Sequence, residues 1–432
     1  MELLVLLAFT MVLMICIALD VSLVLALAIG YGIFFSYAKI KGHRVKAIVD
    51  MSISGVKTVK NMLITFIMIG VVTALWRASG TIPVIICYAA KLIHPSVFVM
   101  IAFLLNAMVS ILTGTAFGTA ATMGVICMTM ALAMGINPMF VGGAILAGVY
   151  YGDRCSPVST SALLVSELTK TDLYDNIKGM IRTCIGPTIV TCVFYLILGF
   201  FGGGDGAVMD VESMFAKTFS LHWVMVIPAL MILVFAAFRI PVRQTLLASI
   251  AVAAVLCVAM QKTPIQDLIR IMIMGYESPD PEMAAMMNGG GIASMITTSL
   301  VVGISSSFAG IFEGTGLLDG LKHHILKLSK KVTPYGATMT GAVLMSMIAC
   351  NQALSTILTS QLCRGVEPDN KKYALDLENT VIVMAPLVPW SIAGAVPLAT
   401  VGAPLSGILF AFYLYCLPIW HLVRNVVRKK ES

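Results

Sequence analysis

Charged residues are scarce in this chain. Asp, Glu, Lys and Arg make up 11% of its 432 residues, whereas an ordinary soluble domain carries about 25%. So few charges cannot cover a water-facing surface, which excludes an ordinary soluble domain. Apolar runs such as 3–19 and 21–35 are long enough to cross the ~30 Å hydrocarbon layer. The composition therefore predicts an all-α polytopic membrane protein with the lipid bilayer as its surroundings.

The chain also lacks the signatures of ATP-driven transport and of common enzymes. It contains no Gly-x-x-x-x-Gly-Lys-Ser/Thr phosphate loop and no hydrolase or kinase motif, so we expect neither an ATP-driven pump nor an enzyme. The ten cysteines show no Cys-x-x-Cys spacing, and we expect them to be packing residues without a disulfide framework, a metal cluster or a cofactor. Basic residues at membrane edges explain the net charge of +7, so no nucleic-acid partner is expected.

Two stretches of the sequence look like diverged copies of one another. Segments 76–81 and 312–317, which lie 236 residues apart, each interrupt an apolar run with Gly, Ser or Thr. A second pair of interruptions follows at the same offset, at 113–119 and 349–355. Paired broken apolar segments in the two halves of a chain indicate the binding site of a secondary transporter. We therefore expect two repeats, 1–222 and 223–432, with broken or re-entrant helices at their interface.

The distribution of Lys and Arg predicts that the two repeats are inverted. Loop 39–60 holds six Lys and Arg residues, whereas its counterpart 275–296 holds none. The next pair of loops reverses this bias, with one Lys in 83–95 and four in 319–331. Basic loops are cytoplasmic, so this pattern predicts inverted topology and both termini on the cytoplasmic side of the cell (inner or plasma) membrane. The amphipathic stretch 170–182 predicts a helix lying on the cytoplasmic surface.

The densest polar cluster within apolar surroundings lies at residues 150–161. Proline and glycine loosen a helix and free backbone carbonyls, which can coordinate Na+ together with hydroxyl groups. Asp153 is the Na+ candidate, since its carboxylate can hold a cation or take a proton. The other candidates here are Ser156, Pro157, Ser159 and Thr160. In the alternative interpretation, Asp153 and Arg154 form an ion pair at a cytoplasmic helix end and the following serines cap the next helix.

Uncharged hydrogen-bonding residues in the second interruptions are further candidates. They suit an ion or a small polar solute, although small and hydroxyl residues are also selected for helix contacts in membranes. These candidates are Thr113, Gly114, Thr115, Thr119, Asn351, Gln352, Ser355 and Thr356.

Three residues of the second half complete the candidate site. Trp390 and Ser391 follow Pro386 and Pro389, and the alternative there is a proline kink with Trp390 as an interfacial anchor. Glu313 lies at the position that corresponds to Arg77. These two charges either pair across the repeat interface or each mark the end of a half-helix near water.

At these residues the chain resembles the NhaC family of Na+/H+ antiporters. The matching elements are the segment 76–83, Gly152-Asp153 followed by Ser156-Pro157, and the segments 171–174 and 386–390. The resemblance spans nearly the whole chain and implies an ion-coupled secondary transporter of the ion-transporter superfamily, with inverted repeats. Members of that superfamily are often homodimers with a mobile transport domain.

The chain departs from the family pattern at Thr160, which stands where such antiporters usually carry a second acid. One acid fewer puts simple Na+/H+ exchange in question. Na+/H+ antiport is the family default, and the alternative is Na+- or H+-coupled transport or exchange of a small organic solute, such as an amino acid or a hydroxy or carboxylic acid. A channel or membrane scaffold is a third interpretation, but broken helices in both halves favour an occluding site over a continuous pore.

Overall fold

The fold is helical throughout the part of the chain that can be described. The computed structural model describes residues 2–19, 21–58, 60–90, 94–157, 159–202, 215–238, 240–280, 283–284, 287–317, 332–349 and 351–431. Within these ranges the only β-structure is one antiparallel bridge between Tyr276 and Gly289. The predicted all-α class is therefore confirmed. The basic segment 319–331, on which part of the predicted orientation depends, lies outside the described residues.

The helices are numbered in chain order by their residue ranges. They are α1 (Glu2–Ala18), α2 (Leu23–Ile40), α3 (Val45–Thr58), α4 (Lys60–Ala78), α5 (Thr81–Ala90), α6 (Pro95–Thr113), α7 (Ala116–Ala133), α8 (Pro138–Cys155), α9 (Thr160–Thr169), α10 (Leu173–Gly202), α11 (Ile227–Ala237), α12 (Val242–Ala259), α13 (Ile265–Met274), α14 (Ile296–Thr315), α15 (Pro334–Ala349), α16 (Gln352–Leu362), α17 (Asn370–Asn379), α18 (Ile392–Val401) and α19 (Phe412–Glu431). Short helical turns at Gly291–Ser294 and Val381–Met384 connect some of them.

Several helices are long and apolar enough to cross a membrane. Three described helices meet this test alone, namely Pro95–Thr113, Ala116–Ala133 and Leu173–Phe200. Two further spans result if each bent pair counts as one: α4 with α5 bends by 63°, and the helices on either side of residues 388–391 bend by 56°. The separate surface helix expected at 170–182 is not formed, because Leu173 begins a continuous 30-residue helix. Its charged first turns continue into the apolar part without a break.

Helix ends recur at the 236-residue offset found in the sequence. Helices α4 and α14 are followed by Gly80 and Gly316, whose φ angles are +84° and +64°. Thr115 and Asn351 are the N-cap residues of α7 and α16. A positive φ ends a helix most easily at glycine, and Thr and Asn side chains accept hydrogen bonds from the free amides of a first helical turn. The predicted interruptions are therefore real helix ends.

Helices α6 and α8 approach each other at backbone distance. A Cβ atom added to Gly152 would lie 2.6 Å from the Ala107 carbonyl oxygen, and one added to Gly148 would lie 2.5 Å from the Phe103 carbonyl oxygen. The hydroxyl of Ser110 donates to the Val149 carbonyl at 2.6 Å. Small residues allow such close packing between membrane helices. This contact fixes the carboxyl end of α8 in place.

Helix α8 is also joined to the second half of the chain. The hydroxyl of Tyr150, which is fully buried, donates to the Ala393 carbonyl in α18 at 2.8 Å. The indole of Trp390 donates to the Met347 carbonyl in α15 at 2.8 Å. Both halves therefore contribute to one buried core around the end of α8.

Candidate functional site

The sequence around α8 determines where the helix starts and stops. The Asn137 side chain accepts a hydrogen bond from the Met139 amide at 2.9 Å, and Pro138 occupies the first helical position. Both are typical of a helix start. The helix ends at Cys155, and Ser156 is extended, because the residue before a proline avoids the helical conformation. Asp153 is thereby placed in the last turn of α8.

The carboxylate of Asp153 is buried and held by hydroxyl groups. Ser159 Oγ donates to Oδ1 at 3.0 Å and Ser161 Oγ donates to Oδ2 at 2.9 Å. Ser159 is also the N-cap of α9, since its Oγ accepts from the Ser161 amide at 3.1 Å. The partial positive charge at a helix amino terminus stabilises an anion. These hydrogen bonds favour the ionised form of a carboxyl group that is only 4% exposed.

Arg154 points away from Asp153 into a separate network. Consecutive helical residues are rotated by about 100° from each other. The fully buried Arg154 guanidinium donates to the Glu378 carbonyl at 3.0 Å, to Thr183 Oγ1 at 2.9 Å and to the Asn379 side-chain oxygen. The alternative in which Asp153 and Arg154 form an ion pair is therefore wrong, although Ser159 caps the next helix as that alternative expected. Arg154 instead attaches α8 to the carboxyl end of α17.

Seven of the predicted site residues line one cavity of about 560 Å³. The amino termini of α7, α9 and α16 all reach this cavity, as does the carboxyl end of α6. The seven residues are Thr113, Gly114, Thr115, Asp153, Thr160, Asn351 and Gln352. The breaks that the sequence indicated in each half thus lie around a single volume.

Four other predicted residues do not line the cavity but lie next to residues that do. Thr119 exchanges a hydrogen bond with Thr113 at 2.8 Å, and Ser159 holds Asp153 as described. Ser156 Oγ donates to the Ile111 carbonyl at 2.6 Å, which ties the end of α8 to α6. Pro157, which is half-buried, ends α8.

The remaining five predicted residues lie away from the cavity lining. Ser355 and Thr356 are buried, and their hydroxyls donate to the carbonyls of Asn351 and Gln352 in their own helix. Ser391 caps α18 and is buried, as is Trp390. Glu313 is exposed near the end of α14. Arg77 is buried and donates to the Thr73 carbonyl at 3.3 Å, and no ion pair joins it to Glu313 among the described residues.

The sequence interpretation missed one charged residue of the cavity. Arg243, in the first turn of α12, lines the volume together with Thr245. A basic residue just after Pro241 and ahead of a long apolar run was an available signal, because charges within apolar stretches of membrane proteins mark functional sites.

The cavity offers binding groups for charges of both signs. Asp153, Thr113 and Thr115 line the cavity and offer one carboxylate and two hydroxyl groups. Hard oxygen ligands of this kind suit a monovalent cation such as Na+. Arg243 and the helix amino termini attract an anion. Both sets line the same cavity.

Broken helices from both halves around one charged cavity are typical of a secondary transporter. Comparison with known proteins agrees with this class. A sequence model of the Na+/H+ antiporter family matches residues 2–167 and 148–423. The chain belongs to this family, as its resemblance to the NhaC antiporters implied.

Individual relatives are similar along most of their length. The malate-2H(+)/Na(+)-lactate antiporter of Bacillus subtilis is 27% identical over 387 residues, which cover 86% of this chain and 82% of the relative. The Na(+)/H(+) antiporter NhaC of Alkalihalophilus pseudofirmus is 26% identical, with 85% and 82% covered. The arginine/ornithine antiporter ArcD of Halobacterium salinarum is 27% identical, with 79% and 73% covered.

Proposed function

We propose that this protein is a cation-coupled secondary active transporter of the NhaC type that exchanges Na+ for H+, with Asp153 as the cation-binding carboxylate. The observation that carries the proposal is the buried Asp153 carboxylate at a cavity formed by helix breaks from both halves. An ionisable group at membrane depth is costly and marks an ion or proton pathway. The family default of Na+/H+ antiport fits the single negative charge of the donor set.

In the proposed mechanism, the ends of the broken helices supply the groups that bind Na+. Na+ binds between Asp153 and the hydroxyls of Thr113 and Thr115, while the carbonyls at the end of α6 complete its shell. Two inverted repeats, 1–222 and 223–432, expose the site alternately to either side by moving against each other. The shared 236-residue offset of the helix ends supports these repeats. In this function the protein is a multi-pass homodimer in the cell membrane, with both termini cytoplasmic.

Binding of Na+ to the purified protein tests the assignment of Asp153. A ligand that binds the folded state raises its melting temperature by mass action. We expect NaCl, but not choline chloride, to raise the melting temperature of the wild type, and Asp153→Asn to abolish this rise. Asp267→Asn, which changes an exposed acid in α13, is the matched control and should keep the response. An equal Na+ response in Asp153→Asn would contradict the assignment.

A second candidate function is exchange of a small organic anion coupled to Na+ or H+. Arg243 and three helix amino termini face the cavity, and its volume of about 560 Å³ lies within the 300–1,000 Å³ range of small-molecule sites. A bare cation needs far less space. The names of the relatives from B. subtilis and H. salinarum include organic solutes. In this function Arg243 binds the carboxylate of the solute while Asp153 binds the coupling cation.

Solute-dependent stabilisation separates the two functions. If organic anions are cargo, malate or lactate should raise the melting temperature in the presence of Na+, and Arg243→Gln should remove this effect while the response to Na+ alone persists. Arg270→Gln is the control, because Arg270 is exposed and pairs with Glu277 at 3.0 Å outside the cavity. No response to carboxylic or amino acids in the wild type would leave Na+/H+ exchange as the function.

A further inference from the structure

Glu378 is a buried acid that the cation site described above does not use. Its side chain is fully buried near the end of α17, and neither carboxylate oxygen has a hydrogen-bond partner among the described residues. More than nine in ten buried polar groups do have such a partner, so an orphaned one requires an explanation. A carboxyl group at membrane depth is also a functional candidate in its own right.

The surroundings of Glu378 connect it to the cation site through α8. Its backbone carbonyl accepts a hydrogen bond from Arg154, and the charges that act on its side chain are those of Arg154 and Asp153. The thiol of Cys155 accepts a hydrogen bond from Arg154 at 3.6 Å. The phenols of Tyr335 and Tyr413 approach Arg154 from α15 and α19.

The neighbouring acid Asp376 belongs to a different environment. It is buried on the same helix, and its Oδ2 likewise has no partner among the described residues. The charges that act on it are those of Lys372 and Glu367. Asp376 is therefore a matched control for Glu378, since it shares helix and burial but not the connection to Arg154.

The buried charges of Arg154, Asp153 and Glu378 together allow one additional positive charge. Arg154 contributes +1, Asp153 contributes −1, and an ionised Glu378 contributes another −1. A net charge is expensive in a region of low dielectric. The net charge of these three groups becomes zero either when Na+ binds at Asp153 or when a proton binds to Glu378. If both bind, the net charge is +1, and if neither binds, it is −1.

We propose that Glu378 is the proton-binding site of the transporter and that its protonation and Na+ binding at Asp153 exclude each other through charge balance around Arg154. The inference rests on the proposed function and deepens it. When Na+ binds, the O–H bond of the Glu378 carboxyl group breaks, the proton leaves to water and the carboxylate keeps the electron pair. Glu378, in the second half, thereby supplies the second acid that the first half lacks at Thr160.

Proton release from the purified, detergent-solubilised protein tests this exchange. Adding NaCl to the wild type in weak buffer should acidify the medium by about one proton per Na+ bound, and choline chloride should not. Glu378→Gln, which mimics the protonated acid, should release no proton and should bind Na+ at least tenfold more weakly at pH 8. Asp376→Asn should behave like the wild type, and Glu378→Asp should retain proton release.

The pH dependence distinguishes proton binding from a merely structural role. Acidification should weaken Na+ binding to the wild type by about tenfold per pH unit, as expected for competition with one proton, until it reaches the value of Glu378→Gln. The affinity of Glu378→Gln should stay flat over the same range. If this variant does not fold, Na+-induced infrared difference spectra of the wild type should show loss of a protonated carboxyl band, and that band should shift in Glu378→Asp.

The possible results separate the inference from the function on which it rests. Normal Na+ affinity and normal proton release in Glu378→Gln would overturn the inference alone, as would a carboxyl band that Glu378→Asp leaves unshifted. Proton exchange would then belong to another group, and Na+/H+ exchange would stand. Absence of both Na+ binding and proton release in the wild type would overturn the proposed function and the inference with it.

Discussion

Gln352 joins the two halves of the chain at the carboxylate of Asp153. Its Nε2 lies 3.1 Å from the Ile382 carbonyl oxygen and 3.5 Å from Asp153 Oδ2. One side chain at the start of α16 thus contacts the cation-binding acid of the first half and the broken helix of the second. A change in the position of the Asp153 carboxylate is therefore expected to shift Gln352 and its contact with the helix break at residues 380–391.

Removal of one hydroxyl group that donates to Asp153 should weaken Na+ binding without unfolding the protein. Ser161→Ala deletes the hydrogen bond to Oδ2 but leaves the N-cap residue Ser159 intact. A hydrogen bond to a charged group contributes about 1.5–3 kcal/mol, and about 1.4 kcal/mol corresponds to a tenfold change in affinity. We expect Na+ affinity, measured by titration of thermal stability, to fall by about tenfold or more.

Ser166→Ala provides the matched control for this change. Ser166 lies on the same helix, but its hydroxyl donates to the Leu163 carbonyl and does not contact Asp153. Its Na+ affinity should equal that of the wild type. Equal losses in the two variants would mean that the serine hydroxyls act through the stability of α9 and not through the carboxylate.

Gly152→Ala should displace the cation site by steric conflict. The added methyl group would meet the Ala107 carbonyl oxygen and the Ile111 amide nitrogen, both at 2.6 Å, and overpacking of this kind costs about 1–3 kcal/mol. We expect a lower melting temperature and weaker Na+ stabilisation, because Asp153 follows directly in the chain. Gly32→Ala, where a Cβ atom would meet nothing within 4 Å, should leave both quantities unchanged. If Gly152→Ala is as stable as Gly32→Ala, the close approach of α6 and α8 does not constrain the site.

Thr160→Asp should increase the dependence of transport on cations. Thr160 is exposed to the cavity at the first position of α9, where an acid is favoured by the helix amino terminus. A second carboxylate beside Asp153 adds negative charge that an additional cation or proton must neutralise. We expect a steeper Na+ or pH dependence of flux in proteoliposomes than in the wild type. Thr160→Asn, which has the same shape without the charge, should not show it, and an unchanged dependence in Thr160→Asp would mean that position 160 takes no part in coupling.

The sequence predicted the location of the helix breaks better than the chemistry around them. Local sequence is sufficient to predict a helix end, because a positive φ or an N-cap depends on the residue itself and its immediate neighbours. This applies to Gly80, Gly316, Thr115 and Asn351. The Gly-Asp-x-x-Ser-Pro element likewise indicated a helix end with an acid in its last turn. Local rules were sufficient for these features.

Contacts between distant segments could not be read from the sequence in this way. Arg154 follows Asp153 directly in the sequence, but its partners lie 29 to 259 residues away, at Thr183, Glu378, Asn379 and Tyr413. The approach of Arg243 to the cavity depends on how α12 packs, which no periodicity within α12 reveals. Ser355, Thr356 and Glu313 have suitable side chains, but helix rotation directs them away from the cavity lining.

Na+/H+ exchange in proteoliposomes that contain no organic solute measures the proposed transport activity itself. With the purified protein reconstituted and a pH-sensitive dye inside, an inward Na+ gradient should drive protons out and raise the internal pH. We expect this response for the wild type and for Asp267→Asn, and its loss in Asp153→Asn. A wild type that moves protons only when an organic solute is added, or an Asp153→Asn variant that exchanges Na+ for H+ as the wild type does, would contradict it.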